Sequence, residues 1–164
     1  MKKWILVLIS LVLLILDNSF MPFLAIKGAF TSLLFIFAIA YSIINGKKEA
    51  VFIGVISGLL QDIYFYEGFG VNALVNMLLC LLAAFIGENI YREKKLIPTI
   101  SMSFLYMFKV ISLFLLLKMA GKTINFEIGI YASIYSAIVM FLGYDFVLRL
   151  YDNDYKKKSW RFKW

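Results

Sequence analysis

The sequence predicts an all-α integral membrane protein, a polytopic bundle of about six transmembrane helices. Of its 164 residues, 63% are hydrophobic, against roughly 45–50% in ordinary globular domains. These residues are gathered into six apolar segments separated by short polar or charged stretches. A soluble domain of this length would leave much of that apolar surface in water, so the expected solvent is the lipid bilayer. One transmembrane domain is predicted over residues 1–150, followed by a basic and aromatic tail over residues 151–164.

The residue inventory excludes several kinds of chemistry. The chain has no histidine and one cysteine, Cys80. It therefore lacks the usual ligand sets for zinc, haem or iron–sulfur clusters, and it cannot form a Ser-His-Asp or Cys-His nucleophile. We predict no cofactor, no metal and no enzymatic activity.

The first two predicted helices begin near the N-terminus. Trp4–Leu16 follows a pair of lysines and covers only about 20 Å of a hydrocarbon core about 30 Å thick. We expect this helix either to continue through the polar triplet at 17–19 or to end short in a thinned region. The second helix is predicted at Ala29–Ile44, where Asn45 and Gly46 form a stop signal.

The remaining four helices follow the same pattern of apolar runs between charged turns. They are predicted at Ala50–Tyr66, Val71–Gly87, Ile97–Leu117 and Glu127–Leu150.

The distribution of lysine and arginine predicts the orientation. With the N-terminus in the cytoplasm, thirteen of the seventeen fall on the cytoplasmic side and three on the other, namely Lys27, Lys118 and Lys122, while Lys109 lies within the fifth helix. This asymmetry is the positive-inside signal of a multi-pass protein of the bacterial cell membrane with both termini cytoplasmic. The net charge of +7 is explained by topology, and no nucleic acid partner is predicted.

Helix three carries a face of small and polar residues. Ala50, Gly54, Ser57, Gly58 and Gln61 lie on one side of the helix. Small residues allow two helix backbones to approach closely in lipid. This face is expected to form a close crossing inside the bundle, a groove that accepts a partner's transmembrane helix, or both.

Three polar residues are predicted to share one layer of the membrane. Asp62 and Lys109 each lie twelve residues into their helices, about 18 Å from the inner boundary, and Asn76 lies about 9 Å from the outer one. We hypothesise that Lys109 forms an ion pair with Asp62 and that Asn76 is a further hydrogen-bond partner. Alternatively, Asp62 reaches the outer interface while Lys109 extends its amine to the membrane surface.

The tail interleaves cations with aromatic side chains. Lysine and arginine are attracted to anionic headgroups, while tryptophan favours the interface. We expect the tail to anchor to lipids of the inner leaflet or to dock a cytoplasmic protein. The predicted anchoring residues are Lys156, Lys157, Lys158, Trp160, Arg161 and Lys163.

Two short segments resemble the signature region of the rod shape-determining MreD family. They are Gly58-Leu59-Leu60-Gln61-Asp62 and, eight positions after the aspartate, Gly70-Val71-Asn72-Ala73-Leu74. Gly58, Asp62, Gly70 and Ala73 match the family pattern, whereas Gln61 and Asn76 are not fixed parts of it. The predicted partner-binding or helix-packing residues are Gly54, Ser57, Gly58, Asp62, Gly70, Ala73 and Asn76.

The resemblance implies a non-enzymatic component of the bacterial cell-elongation complex. Members of that family bind the scaffold protein MreC, and through it they act with MreB, RodA and the transpeptidase partner of RodA in peptidoglycan synthesis. Their fold is similar to the substrate-binding subunits of energy-coupling-factor transporters.

Two other functions are also compatible with the sequence. One is a substrate-binding subunit of an energy-coupling-factor vitamin transporter, although Trp4–Leu16 lacks the Ala-x-x-x-Ala docking motif of that class. The other is a membrane enzyme of lipid or phosphate chemistry, which usually requires clustered acidic residues. The one close acidic pair, Asp152 and Asp154, lies in the tail among lysines.

Overall fold

The computed structural model describes residues 3–25, 28–65, 70–89, 95–119, 121 and 126–161, without the side chains of residues 65, 117, 126 and 151–161. This part of the chain forms six α-helices. Their bounds are α1 Lys3–Ser19, α2 Leu33–Asn45, α3 Lys47–Phe65, α4 Val71–Glu88, α5 Leu96–Met119 and α6 Phe126–Arg161. The predicted all-α class is confirmed.

Three of these helices are long and apolar enough to cross a membrane: Val71–Glu88, Leu96–Leu116 and Glu127–Leu150. Leu33–Asn45 is apolar but shorter. Large apolar side chains are exposed around the outside of the bundle, among them Trp4, Phe104 and Leu142. Such a surface suits lipid rather than water. The number of membrane crossings stays a prediction.

Helix α1 continues through the polar triplet, which was one of the two expected outcomes. It ends at Ser19, and one turn of 3-10 helix follows at Met21–Leu24. Pro22 lies in that turn, and proline disfavours helical backbone at the residue before it. Asp17 lies in the last turn of α1, before this proline, and its side chain is buried.

Helix α2 begins four residues later than predicted and occupies the centre of the bundle. The Ser32 hydroxyl accepts a hydrogen bond from the Phe35 amide at 3.1 Å, and this cap defines the start of the helix. Every residue from Leu34 to Ile44 is buried. A helix that is apolar on all sides is expected to be surrounded by other helices.

The predicted small face of α3 packs closely against the backbone of α4. A Cβ atom added at Gly54 would lie 2.7 Å from the Met77 Cα, and one added at Gly58 would lie even closer to the Ala73 Cα. Glycine is required at both positions because any side chain would overlap the α4 backbone. Of the two predicted roles of this face, the structure shows the internal crossing, with α4 covering the face.

Helix α6 extends further than predicted. Its backbone stays helical to Arg161 instead of ending at Leu150, so much of the tail continues the last helix. The side chains of Lys156, Lys157, Lys158, Trp160 and Arg161, and the whole of Lys163, lie outside the described residues. The anchoring role of the tail remains a prediction.

Substitution of Gly58 by alanine is expected to lower the thermal stability of the detergent-solubilised protein. The added methyl group would overlap the Ala73 backbone, and overpacking of this kind costs about 1–3 kcal/mol. The measurement is the apparent Tm from a thermal unfolding scan. Gly143→Ala is the matched control, because a Cβ atom there meets nothing within 4 Å and alanine favours helix. Equal melting of Gly58→Ala and the parent protein would contradict this packing.

Candidate functional site

The Asp62 carboxylate holds the beginning of α4. It accepts hydrogen bonds from the backbone amides of Gly70 at 2.9 Å, Asn72 at 2.9 Å and Ala73 at 3.0 Å. The Asn72 side-chain amide adds a fourth bond at 3.0 Å. The first amides of a helix have no partner within the helix, and a membrane interior offers no water to replace one. A carboxylate at this end also meets the positive pole of the helix dipole.

The four residues that match the family pattern form one contact. Asp62 binds the amides of Gly70 and Ala73, and Gly70 adopts a positive φ of 96° that favours glycine. One turn earlier on α3, Gly58 packs against the backbone of Ala73. The pattern therefore specifies how α3 and α4 join: a close crossing, followed by a carboxylate that caps the next helix.

Asp17 holds the beginning of α2 in the same way. Its carboxylate accepts from the Ser32 hydroxyl and the Leu33 amide, both at 2.6 Å, and from the Leu34 amide at 3.1 Å. Both capping carboxylates thus come from the last turn of one helix and bind the first turn of the next.

Gln61 connects the two capped helices. Its Nε2 donates to the Ser32 hydroxyl at 2.9 Å. Its Oε1 accepts from Asn76 Nδ2 at 2.9 Å and from Lys109 Nζ at 2.8 Å. Asn76 Nδ2 also lies 3.4 Å from the Ser57 hydroxyl. Hydrogen bonds through this one side chain join α2, α3, α4 and α5, and Asp17 adds α1. We call these six residues, Asp17, Ser32, Gln61, Asp62, Asn76 and Lys109, the polar network.

The predicted ion pair between Asp62 and Lys109 does not form. The Asp62 oxygens are occupied by the four donors at the start of α4. Gln61 is one residue earlier and so points about 100° away around the helix, towards α5. Lys109 is 7% exposed, donates to Gln61, and places its ammonium 4.1 Å from the centre of the Phe35 ring. Lys109 and Asn76 therefore meet at Gln61.

The opposite end of the bundle carries exposed ion pairs. Lys47 Nζ lies 2.9 Å from Glu88 Oε2, and Lys95 pairs with Asp145. Lys47 also covers the Phe85 ring at 4.0 Å. Pairs of this kind contribute little to stability, in contrast to the buried bonds of the polar network.

The hydrogen bonds of the polar network have a structural role, because they link neighbouring helices. Within the described residues, no group of three acidic, cysteine or histidine side chains is close enough to hold a metal ion. The two carboxylates accept from backbone amides and hydroxyls, and the amide and ammonium groups join helices. The hydrogen bonds of Asp17, Gln61 and Asp62 connect each of these residues to a neighbouring helix.

Asp17 and Ser32 were not among the predicted site residues. Two signals were available. Ser32 immediately precedes a long apolar run, as helix caps do, and Asp17 ends an apolar helix as Asp62 does. Gln61 was assigned only to the small face of α3, because sequence spacing does not show which neighbouring helix a side chain meets.

Comparison with known proteins identifies the family. The model of the family described as rod shape-determining protein MreD matches residues 1–153. This chain belongs to the MreD family. It is accordingly a membrane protein associated with cell shape. No curated protein and no solved structure matches the chain, so similarity of the MreD fold to energy-coupling-factor subunits stays a prediction.

Replacement of Gln61 by leucine is expected to destabilise the protein by about 1–3 kcal/mol, because Lys109 and Asn76 lose a buried acceptor. In the Gln61→Leu variant the Lys109 ammonium is a buried donor without its acceptor, and Lys109→Met removes that donor. The double variant should therefore lose less free energy of unfolding than the sum of the two single variants. The measurement is a double-mutant cycle of unfolding free energies. Additive losses would show that Gln61 and Lys109 are not coupled.

Charge reversal at Asp62 is expected to abolish accumulation of the protein in the membrane, because the first amides of α4 lose their acceptor. Adding Lys109→Asp should not restore accumulation, since Lys109 does not pair with Asp62. Immunoblots of isolated membranes measure both variants. Asp145→Lys is the control, an exposed carboxylate whose reversal should be tolerated. Restored accumulation of the double variant would contradict this expectation and would support a direct ion pair between Asp62 and Lys109.

Proposed function

We propose that this MreD-family protein is a non-enzymatic, multi-pass component of the bacterial cell-elongation complex that binds MreC. Through MreC it acts with MreB, RodA and the transpeptidase partner of RodA, and so helps to organise peptidoglycan synthesis. The observation that carries the proposal is the family match over residues 1–153. The name of the family, rod shape-determining, describes a role in shape and not a reaction.

The polar network supports a scaffolding role. Asp62 is 4% exposed and Gln61 is 3% exposed, so neither is presented to a substrate. Together with those of Asp17, their hydrogen bonds fix the relative positions of five helices. A protein that presents fixed helix faces to partners in the membrane needs this kind of internal fastening.

The arrangement of charged residues supports the proposed orientation. Lys3, Lys47 and Lys95 lie at one end of the bundle, where α1, α3 and α5 begin. The caps at Asp17 and Asp62 lie at the other end. With the lysine end in the cytoplasm, as the positive-inside rule favours, both termini of a six-span protein are cytoplasmic.

The partner surface is proposed to lie outside the small face of α3, because α4 covers Gly54 and Gly58. The remaining apolar surface belongs mainly to α1, α5 and α6. Examples of its exposed side chains are Leu8, Ile111 and Phe146. MreC, as a membrane-anchored protein, is proposed to contact this surface within the bilayer.

Affinity purification from gently solubilised membranes, followed by mass spectrometry, is expected to recover MreC with the tagged chain. Gly143→Ala should recover as much MreC as the parent chain, whereas Gly58→Leu should lose MreC and fail to maintain rod shape. The Gly58→Leu loss is expected because leucine cannot fit against the α4 backbone.

Two outcomes would contradict the proposed function. One is a normal rod shape in cells that lack the chain. The other is recovery of an ATPase with its transmembrane coupling subunit, together with stoichiometric vitamin binding. That second outcome would establish the transporter alternative, which the comparisons do not support.

A further inference from the structure

A continuous apolar groove runs between α4 and α5 on the lipid-facing side. It consists of two adjoining cavities of about 370 and 520 Å³ that share Leu82 and Phe108 in their walls. On α4 the groove extends from Leu74 to Phe85, about 16 Å at 1.5 Å per residue. Its length and apolar lining match an extended acyl chain.

Among the described residues, an exposed ion pair lies beside Phe85 at one end of the groove. Phe85 lines the last part, and the Lys47 ammonium lies 4.0 Å from the centre of its ring. Lys47 in turn lies 2.9 Å from Glu88, and the two side chains are 42% and 45% exposed. The ion pair is thus held beside the groove opening, and both members remain accessible.

These charges complement a zwitterionic headgroup. The Lys47 ammonium has three N–H donors, of which the bond to Glu88 uses one, so donors remain for a phosphate. The Glu88 carboxylate has lone pairs left to accept from a primary amine. A purely anionic headgroup would bring its phosphate near Glu88 without supplying a donor. A choline headgroup carries no N–H group to donate.

We propose that the α4–α5 groove binds a phosphatidylethanolamine-type phospholipid, with an acyl chain along the groove, its phosphate at Lys47 and its amine at Glu88. The bilayer supplies this ligand in either orientation of the protein. The proposal does not depend on binding to MreC, so its failure leaves the proposed function unchanged.

Quenching of a single tryptophan by brominated lipids tests the proposal. In the full chain with Trp4, Trp160 and Trp164 replaced by phenylalanine, the substitution Phe104→Trp places a fluorescent probe in the groove. Ile134→Trp gives the matched control probe, at an exposed site on α6. It lies at a similar depth to Phe104, because Lys95 pairs with Asp145 and Gly129 faces Val110 across the α5–α6 contact. Each protein is reconstituted into phosphatidylcholine vesicles that contain a small fraction of brominated phosphatidylethanolamine, phosphatidylglycerol or phosphatidylcholine.

We expect brominated phosphatidylethanolamine to quench the groove probe several-fold more than the same fraction of either other lipid, and all three lipids to quench the control probe equally. In the Phe104→Trp protein, Glu88→Lys should shift the preference to phosphatidylglycerol, because a second cation then replaces the carboxylate beside Lys47.

Three results would overturn the proposal. The first is equal quenching of the groove probe by all three lipids, and the second is a preference for phosphatidylglycerol before Glu88 is changed. The third is weaker quenching of the groove probe than of the control probe by every lipid, since protein would then cover the groove.

Discussion

The structure depends on how the first amides of two apolar helices, α2 and α4, are satisfied. A helix that begins within a bilayer has unpaired N–H groups and little or no water to bind them. The protein places a carboxylate from the preceding helix at each of two such starts, Asp17 for α2 and Asp62 for α4. The burial of two acidic residues follows from this constraint, because each charge is compensated by several donors.

The small residues of α3 follow from the same constraint. Asp62 reaches the first turn of α4 only because α3 and α4 approach closely at Gly54 and Gly58. Larger residues there would separate the backbones and withdraw the carboxylate from the amides. Gly58, Asp62, Gly70 and Ala73 of the family pattern therefore depend on one another. A change at any one of these positions is expected to disturb the contacts of the other three.

Gln61 connects the two capped helices, α2 and α4, through hydrogen bonds. Its amide has a donor side and an acceptor side, so it can join the hydroxyl at the start of α2 to the donors on α4 and α5. A carboxylate at this position could not donate to Ser32, and an apolar residue could join neither. For a scaffold in the MreD family, this connection would keep the outward helix faces in fixed relative positions.

The sequence by itself determined the fold class, the approximate position of all six helices and the family. These follow from apolar runs, charged turns and a short pattern of glycine and aspartate, which are local features of the chain. It also indicated that Asp62, Asn76 and Lys109 lie at similar depth, because depth depends only on residue count. The start of α2 was misplaced because Ala29 is as apolar as the helix, and the cap at Ser32 decides the boundary.

Only the tertiary structure decided which side chains meet. Gln61 and Asp62 are adjacent in sequence and at nearly equal depth, yet they point to different neighbours, so Lys109 binds Gln61 while Asp62 binds α4. The direction of a side chain around its helix has meaning only when the neighbouring helices are in place. Likewise, α4 rather than a partner covers Gly54 and Gly58, because helix packing in lipid is decided by shape and hydrogen bonding between surfaces that are distant along the chain.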